Sequence, residues 1–393
     1  VSGVSVVAAD VDVLCSVLAG SASVSVQPSN GTAMVLGKGS GGFSVSDSEL
    51  DRIETSGVLT FGGSLTGSVL VDGFSYAGGA SEVRLVAAKH SSSAVSVSGS
   101  SFGQRVSVSA RGGVVLSNVT VGGVLSVDAD SDCSGSGSLV VPSGSAVSSG
   151  GHAVRISASD VDLGGPLNCG SSSLSFFVCG SSVSAVQVGG EPGNASSSVF
   201  SLDRAELGFV TSSGLLLDCP GSAVTVMSVA SSDTSTVGGR FDVNASSVLI
   251  SESASFAPSV LMHAAKGIVS DGSLSSLGDV VLEGGSLSNG TFSDYSVDLR
   301  RPTSAGGSLS VESSGHGRVR LVSPGSLIAG AGIVVGGPVE LFGSGVYTFD
   351  SDSDLDGDGK LVLAGTSNLT VASPSVSGVS VVAADVDVLC SVL

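Results

Sequence analysis

The sequence predicts an all-β fold, a parallel β-helix (β-solenoid) with essentially no α-helix. Three observations carry that expectation. Valine, leucine and isoleucine recur throughout the 393 residues in short runs alternating with serine, 58 glycines punctuate those runs, and Trp is absent while charged residues make up only 12%. Alternation at a period of two puts every second side chain on one face of a strand, and Gly and Ser supply the corners. A mean hydropathy of +0.49 argues against disorder, which requires low hydrophobicity. The formal net charge of -19 argues against nucleic acid and anionic membrane surfaces as partners, since both demand basic patches. The most apolar stretch, Leu327 to Phe342, is interrupted by Gly330, Gly332, Gly336 and Gly337 and carries Glu340, so no membrane span is expected.

Along the chain, the first element is VSGVSVVAADVDVLCSVL, residues 1–18, which recurs without a mismatch at residues 376–393. A shared hydrophobic pattern does not dictate every Ser, Ala and Cys, so the identity points to two copies of one ancestor. The expectation is a tandem array with a 375-residue unit, in which residues 376–393 begin the next repeat. Inside the unit, FSVSDSELDRIETSGVLTFG from Phe43 aligns without a gap with FSLDRAELGFVTSSGLLLDC from Phe200. ADVDVLCSVLAGSASVSV from Ala9 parallels SDVDLGGPLNCGSSSLSF from Ser159, and VLSVDADSDCSGSGSLVV from Val124 parallels VYTFDSDSDLDGDGKLVL from Val346. These anchors divide the unit into two related modules, 1–150 and a longer 151–375.

A shorter beat lies beneath the modules. The stretches starting at Arg105, Ala153, Ser259 and Arg318 share one plan: an alternating strand, a small residue, a second short strand, a glycine turn and a third strand. Three short strands in about twenty residues form one coil of a solenoid. A single coil cannot bury its inward face, so coils must stack, with inward Val, Leu, Ile and Ala lying on the same positions above and below.

The phrase SDSELDRIETSGVLTFGGSLTGSVLV, Ser46 to Val71, resembles the repeats of filamentous-haemagglutinin-type exoproteins and related autotransporter passengers. The coils VSVSARGGVVL and VRISASDVDL and the acidic TFDSDSDLDGDGKLVLAGTSNLTV from Thr348 are similar to the same family. The resemblance implies a right-handed parallel β-helix serving as an extracellular adhesin or scaffold without catalysis. It is carried over for architecture alone, because bacterial members are usually poor in Cys and need no N-glycosylation sequons.

Asparagine supplies the compartment. Six of the seven Asn, namely Asn30, Asn118, Asn194, Asn244, Asn289 and Asn368, begin an N-x-Ser/Thr triplet, and Asn168 alone does not. With about a quarter of residues Ser or Thr, chance would give roughly two. N-linked glycans would place the protein in a eukaryotic secretory route, extracellular or at the cell surface. In such a compartment some cysteines should pair, and Cys169 with Cys179 closes the shortest loop, leaving Cys15, Cys133, Cys219 and Cys390 unassigned. No metal-binding Cys/His spacing occurs. Alternate carboxylates at Asp350, Asp352, Asp354, Asp356 and Asp358 make a candidate calcium site, the one cofactor considered. Leu363 stands where a complete calcium loop would need Glu, and a solvated turn is the competing reading.

No catalytic residues are assigned. Basic residues are few, and His90, His152, His263 and His316 share no spacing, so no acid, base and pocket assemble. The expected function is therefore structural: the repeat unit of an extracellular glycosylated filament, such as a flagellar hair, cell coat or wall fibre. Its partners would be further copies of itself, in the same chain or end to end, N-linked glycans and other fibre proteins. A surface adhesin for carbohydrate or another cell is the alternative, and a polysaccharide lyase or hydrolase on the same architecture comes third.

Overall fold

The computed structural model describes residues 3–179, 183–191, 198–285, 297–313, 319–322, 326–337, 339–342, 344–353, 359–364, 368–371, 376–388 and 391–392. Strand accounts for 58% of the described residues and helix for 4%, and the described strand pairs are parallel throughout, which makes the chain a parallel β-solenoid. Two compact units emerge. One comprises Val1–Val183, Ser196–Phe200 and Phe209–Leu215, the other Ser184–Ala195, Ser201–Gly208 and Leu216–Leu393. They are defined by compactness, whereas the modules 1–150 and 151–375 are defined by matching anchors. Among the described residues no helix is long and apolar enough to cross a membrane.

In the first unit the three-strand plan is realised coil by coil. Arg105–Ala110, Val114–Ser117 and Val119–Val121 make one coil, and Val154–Ala158, Asp160–Leu163 and Leu167–Asn168 another. Parallel register aligns like with like. On one face an inward column runs Val6, Val26, Phe61, Leu85, Val108, Val127, Ile156 and Phe176, each the direct pair of the next. From Val26 to Phe176 these side chains are no more than 3% exposed. Fully burying each one contributes about 1.5–3 kcal/mol. Many outward positions of the same strands are Ser, Thr or Arg, for example Thr60, Arg84, Ser107 and Ser126, so a one-residue slip would put hydroxyls into the core.

The second unit repeats the device. One column runs Phe241, Val260, Val280, Leu309, Ile333, Leu361 and Val386. Another runs Ala254, Leu274, Thr303, Leu327, Phe349 and Val381. Burial is near complete until the last member of each, where Val386 is 44% and Val381 45% exposed.

Among the described residues two short α-helices, α1 (Asp47–Leu50) and α2 (Arg204–Phe209), and a 3-10 turn at Ser231–Thr234 interrupt the all-β pattern. The two α-helices sit at equal offsets in the paired anchors from Phe43 and Phe200 and are built alike. The Ser46 N–H donates to Glu49 Oε2 at 2.8 Å, and the Asp203 N–H donates to Glu206 Oε2 at 2.8 Å. In α2 the Glu206 N–H also donates back to Asp203 Oδ1 at 3.0 Å. This is the capping box, Ser or Asp followed three residues later by Glu, and it starts each helical turn. Leu50 and Leu207 anchor each turn in the core. The duplicated anchor is thus a duplicated corner.

Candidate functional site

The groups able to carry function lie in the turns, since the strands are committed to stacking. Asn30 is exposed in the turn after strand Ser23–Pro28. The Thr32 N–H and hydroxyl both donate to its Oδ1, at 3.2 and 2.9 Å, an Asx turn that brings the sequon's own hydroxyl against its amide. Asn118 is exposed at a one-residue corner between Val114–Ser117 and Val119–Val121 with φ 54. That left-handed conformation is one Asn tolerates better than most residues. Its Oδ1 accepts from the Ala146 N–H of the next coil at 3.2 Å. Asn244 differs: it lies within strand Arg240–Ile250, half-buried, and its Nδ2 donates to Asp218 Oδ1 at 2.8 Å. Backbone pairing places Asn368 opposite Ser391, while Asn194 and Asn289 lie outside the described residues.

The acidic stretches occupy one kind of turn in both modules. Ala129 and Ser351 each donate an N–H to the following coil, to Ser157 O and Val382 O at 2.8 Å. Ser131 and Ser353 each donate to the preceding coil, to Ala110 O at 2.9 Å and Ala329 O at 3.1 Å. At the far end a Cβ on Gly137 would collide with the Ala129 carbonyl, and one on Gly359 with that of Ser351, so only glycine closes either turn. Inside the first turn Asp130 is fully buried. Its carboxylate accepts from the Ser134 N–H and hydroxyl, both at 3.1 Å, and from the Gly135 N–H at 2.8 Å. Burial, then the neighbouring Asp130 and Asp132, push the Asp128 carboxyl above its ordinary range. Asp352 is the counterpart of Asp130 and is likewise buried. Asp350 is described too, but Asp354, Asp356 and Asp358 lie outside the described residues, and the calcium reading depends on them.

The cysteine pairing expected from spacing is corrected. The disulfide joins Cys133 to Cys179, with Cα atoms 5.3 Å apart and a sequence separation of 46. Cys133 belongs to the acidic turn, and Cys179 follows strand Ser173–Val178, which the register places above Leu125–Asp128 by way of Val154–Ala158. Cys169 follows the third strand of its coil, on another face, and points into the core. In a solenoid, distance along the chain does not measure distance in space. Cys169 and Cys219 are free, and burial pushes both thiols up to about 12, Asp218 adding to the effect at Cys219. Cys15 is free and exposed, and Cys390 lies outside the described residues.

A shallow groove of about 610 Å³ in the second unit is lined by Ser228, Ser251, Ser253 and Ser273 with Glu252, Asp271, Gly272 and Arg301. Its hydroxyls come from successive turns. Both carboxylates already have partners: Ser228 donates to Glu252, and Arg300 Nη1 lies 3.0 Å from Asp271 Oδ1. Of the histidines, His263 Nδ1 lies 3.2 Å from Glu283 Oε2 on the outer surface, His90 and His152 fall in turns, and His316 lies outside the described residues. Among the described residues no group of three or more His, Cys, Asp or Glu is placed to hold a metal ion.

The helix-capping signal Ser46/Glu49 and Asp203/Glu206 is legible in the sequence as S/D-x-x-E, although the alternating pattern alone does not bring it out. Comparison with protein-family models, with curated proteins and with solved structures finds no match to this chain.

Proposed function

We propose that the chain is a structural repeat of an extracellular, N-glycosylated surface filament without catalytic activity of its own. Its partners on this reading are further copies of the repeat, N-linked glycans and other fibre proteins. The observation that carries the reading is the combination of gap-free inward columns in each unit with sequons Asn30 and Asn118 on exposed turns. Stacked coils offer stiffness along their axis and little enclosed space, while glycans and acidic turns on the outside oppose lateral aggregation.

The test is glycopeptide mapping together with imaging of the material as it is secreted. Glycans are expected at Asn30 and Asn118 in preference to Asn244, whose amide nitrogen must first give up Asp218. Regular filaments whose repeat matches one unit are expected in the images. An unglycosylated protein, or isolated molecules without filaments, overturns the reading. The serine-lined groove at Ser228 and Ser251 favours the adhesin as a second reading, because aligned hydroxyls beside Glu252 and Arg301 suit carbohydrate hydroxyls. Binding of free glycans that is lost in Arg301→Ala would support it.

A further inference from the structure

The segment that occurs twice is held from opposite sides in its two places. At residues 3–8 it pairs with the coil that follows: Val4 lies against Val24, Val6 against Val26, and the Ser25 hydroxyl donates to Ser5 Oγ at 3.0 Å. Farther on, Val17 pairs with Ile53. At residues 376–392 the same sequence pairs with the coil that precedes it. Val379 lies against Tyr347, Val381 against Phe349 and Val392 opposite Leu369. Val379 and Val381 are the counterparts of Val4 and Val6, so the same side chains face inward in both copies.

At the second place no described strand pairs with the outer edge. Val379 is 39% and Val381 45% exposed, whereas Tyr347 and Phe349 beneath them are 0% and 2% exposed. An uncovered strand edge presents unpaired N–H and C=O groups and favours addition of another strand. We propose that this segment is the seam between repeats: the edge at residues 378–383 receives strand Ser23–Pro28 of a second copy, in the register that residues 3–8 display. This rests on the reading of the chain as a repeat that stacks on copies of itself.

The register makes both merged inward columns apolar: Tyr347, Val379 and Val24 form one, and Phe349, Val381 and Val26 the other. A shift by one residue would set Ser25 on the inward side. Polar contacts are compatible as well, because they use different atoms. Lys360 Nζ lies 3.4 Å from Asp385 Oδ2 and 2.5 Å from Asp387 Oδ2. In the first copy the counterpart of Asp385, Asp10, accepts the Ser44 N–H on Oδ1 at 3.3 Å. There the Val13 N–H donates to Glu49 Oε1 at 3.0 Å, and Arg52 Nη1 donates to Val13 O at 2.6 Å. One copy of the segment can therefore satisfy both neighbours at once.

The experiment joins two copies in one chain so that Leu393 of the first runs into Ala19 of the second. Ser380→Cys in the first copy with Ser25→Cys in the second is expected to form a disulfide, detected as a linked peptide by mass spectrometry. Ser380→Cys with Gln27→Cys, two residues out of register, is expected to form at least about tenfold less, since bridging needs Cα atoms within about 7 Å. Ser5→Cys with Ser25→Cys in the single chain is the positive control. Equal yields, or no link when the control forms, overturns the seam. Hydrogen exchange on the unsubstituted proteins gives an independent reading: residues 378–388 should gain protection by about 100-fold in the joined chain relative to the single one, and unchanged protection refutes the proposal. Filaments with no in-register link would leave the filament reading standing without this seam. A link in a protein that is neither secreted nor filamentous would do the reverse.

Discussion

Leu85→Ala tests whether column stacking holds the solenoid. Leu85 is fully buried between Phe61 and Val108 in adjacent coils. Truncation removes the equivalent of about three methylene groups, roughly 2.4 kcal/mol of transfer free energy. The two flanking coils are fixed by their own ladders and cannot collapse into the gap, so a cavity cost adds to the loss, and buried Leu→Ala changes span about 2–5 kcal/mol. A cost of about 3 kcal/mol is expected, which speeds exchange of the local amides by about 150-fold at about 1.4 kcal/mol per decade. The adjacent Arg84→Ala is the comparison. That side chain points outward, is half exposed and pairs with Glu82 at 3.0 Å, and an exposed pair contributes at most about 1 kcal/mol. Native-state hydrogen exchange on strands Val58–Gly63, Glu82–Ala87 and Arg105–Ala110 is the assay. In a stack of coils the loss is local, so exchange is more informative than a single melting temperature. Equal acceleration by the two substitutions would refute inward stacking as the source of stability.

Other consequences follow from the turns. Cys133→Ser removes a cross-link spanning 46 residues, worth about 4 kcal/mol by chain entropy. Denaturant unfolding should move by that order, and peptide mapping should find Cys133 linked to Cys179, with Cys169 alkylated only after unfolding. A Cys169–Cys179 peptide would reverse the assignment. Asp128 has its folded-state pKa raised by burial and then by Asp130 and Asp132. A raised carboxyl contributes stability that is present below its unfolded value of about 3.9 and lost as pH rises through the folded value. Asp128→Asn should therefore stabilise the protein at neutral pH and lose that advantage near pH 3. A gain of the same size at both pH values would contradict this account.

The architecture was legible because stacking imposes a repetitive demand on sequence. Alternation at Arg105–Ala110 or Val154–Ala158 states which side chains face inward, and glycine with serine marks where the chain must turn. Less legible were features that depend on which coils become neighbours. The Cys133–Cys179 bond joins a turn to a strand end elsewhere in the stack, and no local pattern encodes that. α1 and α2 were readable only through their caps, since neither is long enough to show a 3.6-residue period. Asp352 reads as a member of an acidic run facing water or a cation, yet it and its counterpart Asp130 are buried, and Asp130 ties its turn together through backbone N–H groups. The difference lies in backbone geometry that charge spacing does not report.

A comparison of two adjacent coils suggests how such a chain gains features without losing its fold. Strands Val154–Ala158 and Asp160–Leu163 are joined through Ser159 alone, whereas Leu125–Asp128 and Ser138–Val141, directly paired with them, are joined by the acidic turn. The Ser159 N–H donates to Gly137 O at 3.0 Å, so the long turn comes back into register at its last residue. Ala384 donates to Gly359 O at 2.8 Å in the same way. The entropic cost of lengthening a loop grows only slowly with its length, so once the Gly137-type closure exists the turn between its ends is open to change. Cys133 in one module aligns in sequence with Leu355 in the other. New chemistry should therefore accumulate in turns closed by such glycines, and substitution of Gly137 by any residue with a Cβ should open the turn and release Asp130 from its N–H donors while leaving the flanking columns intact.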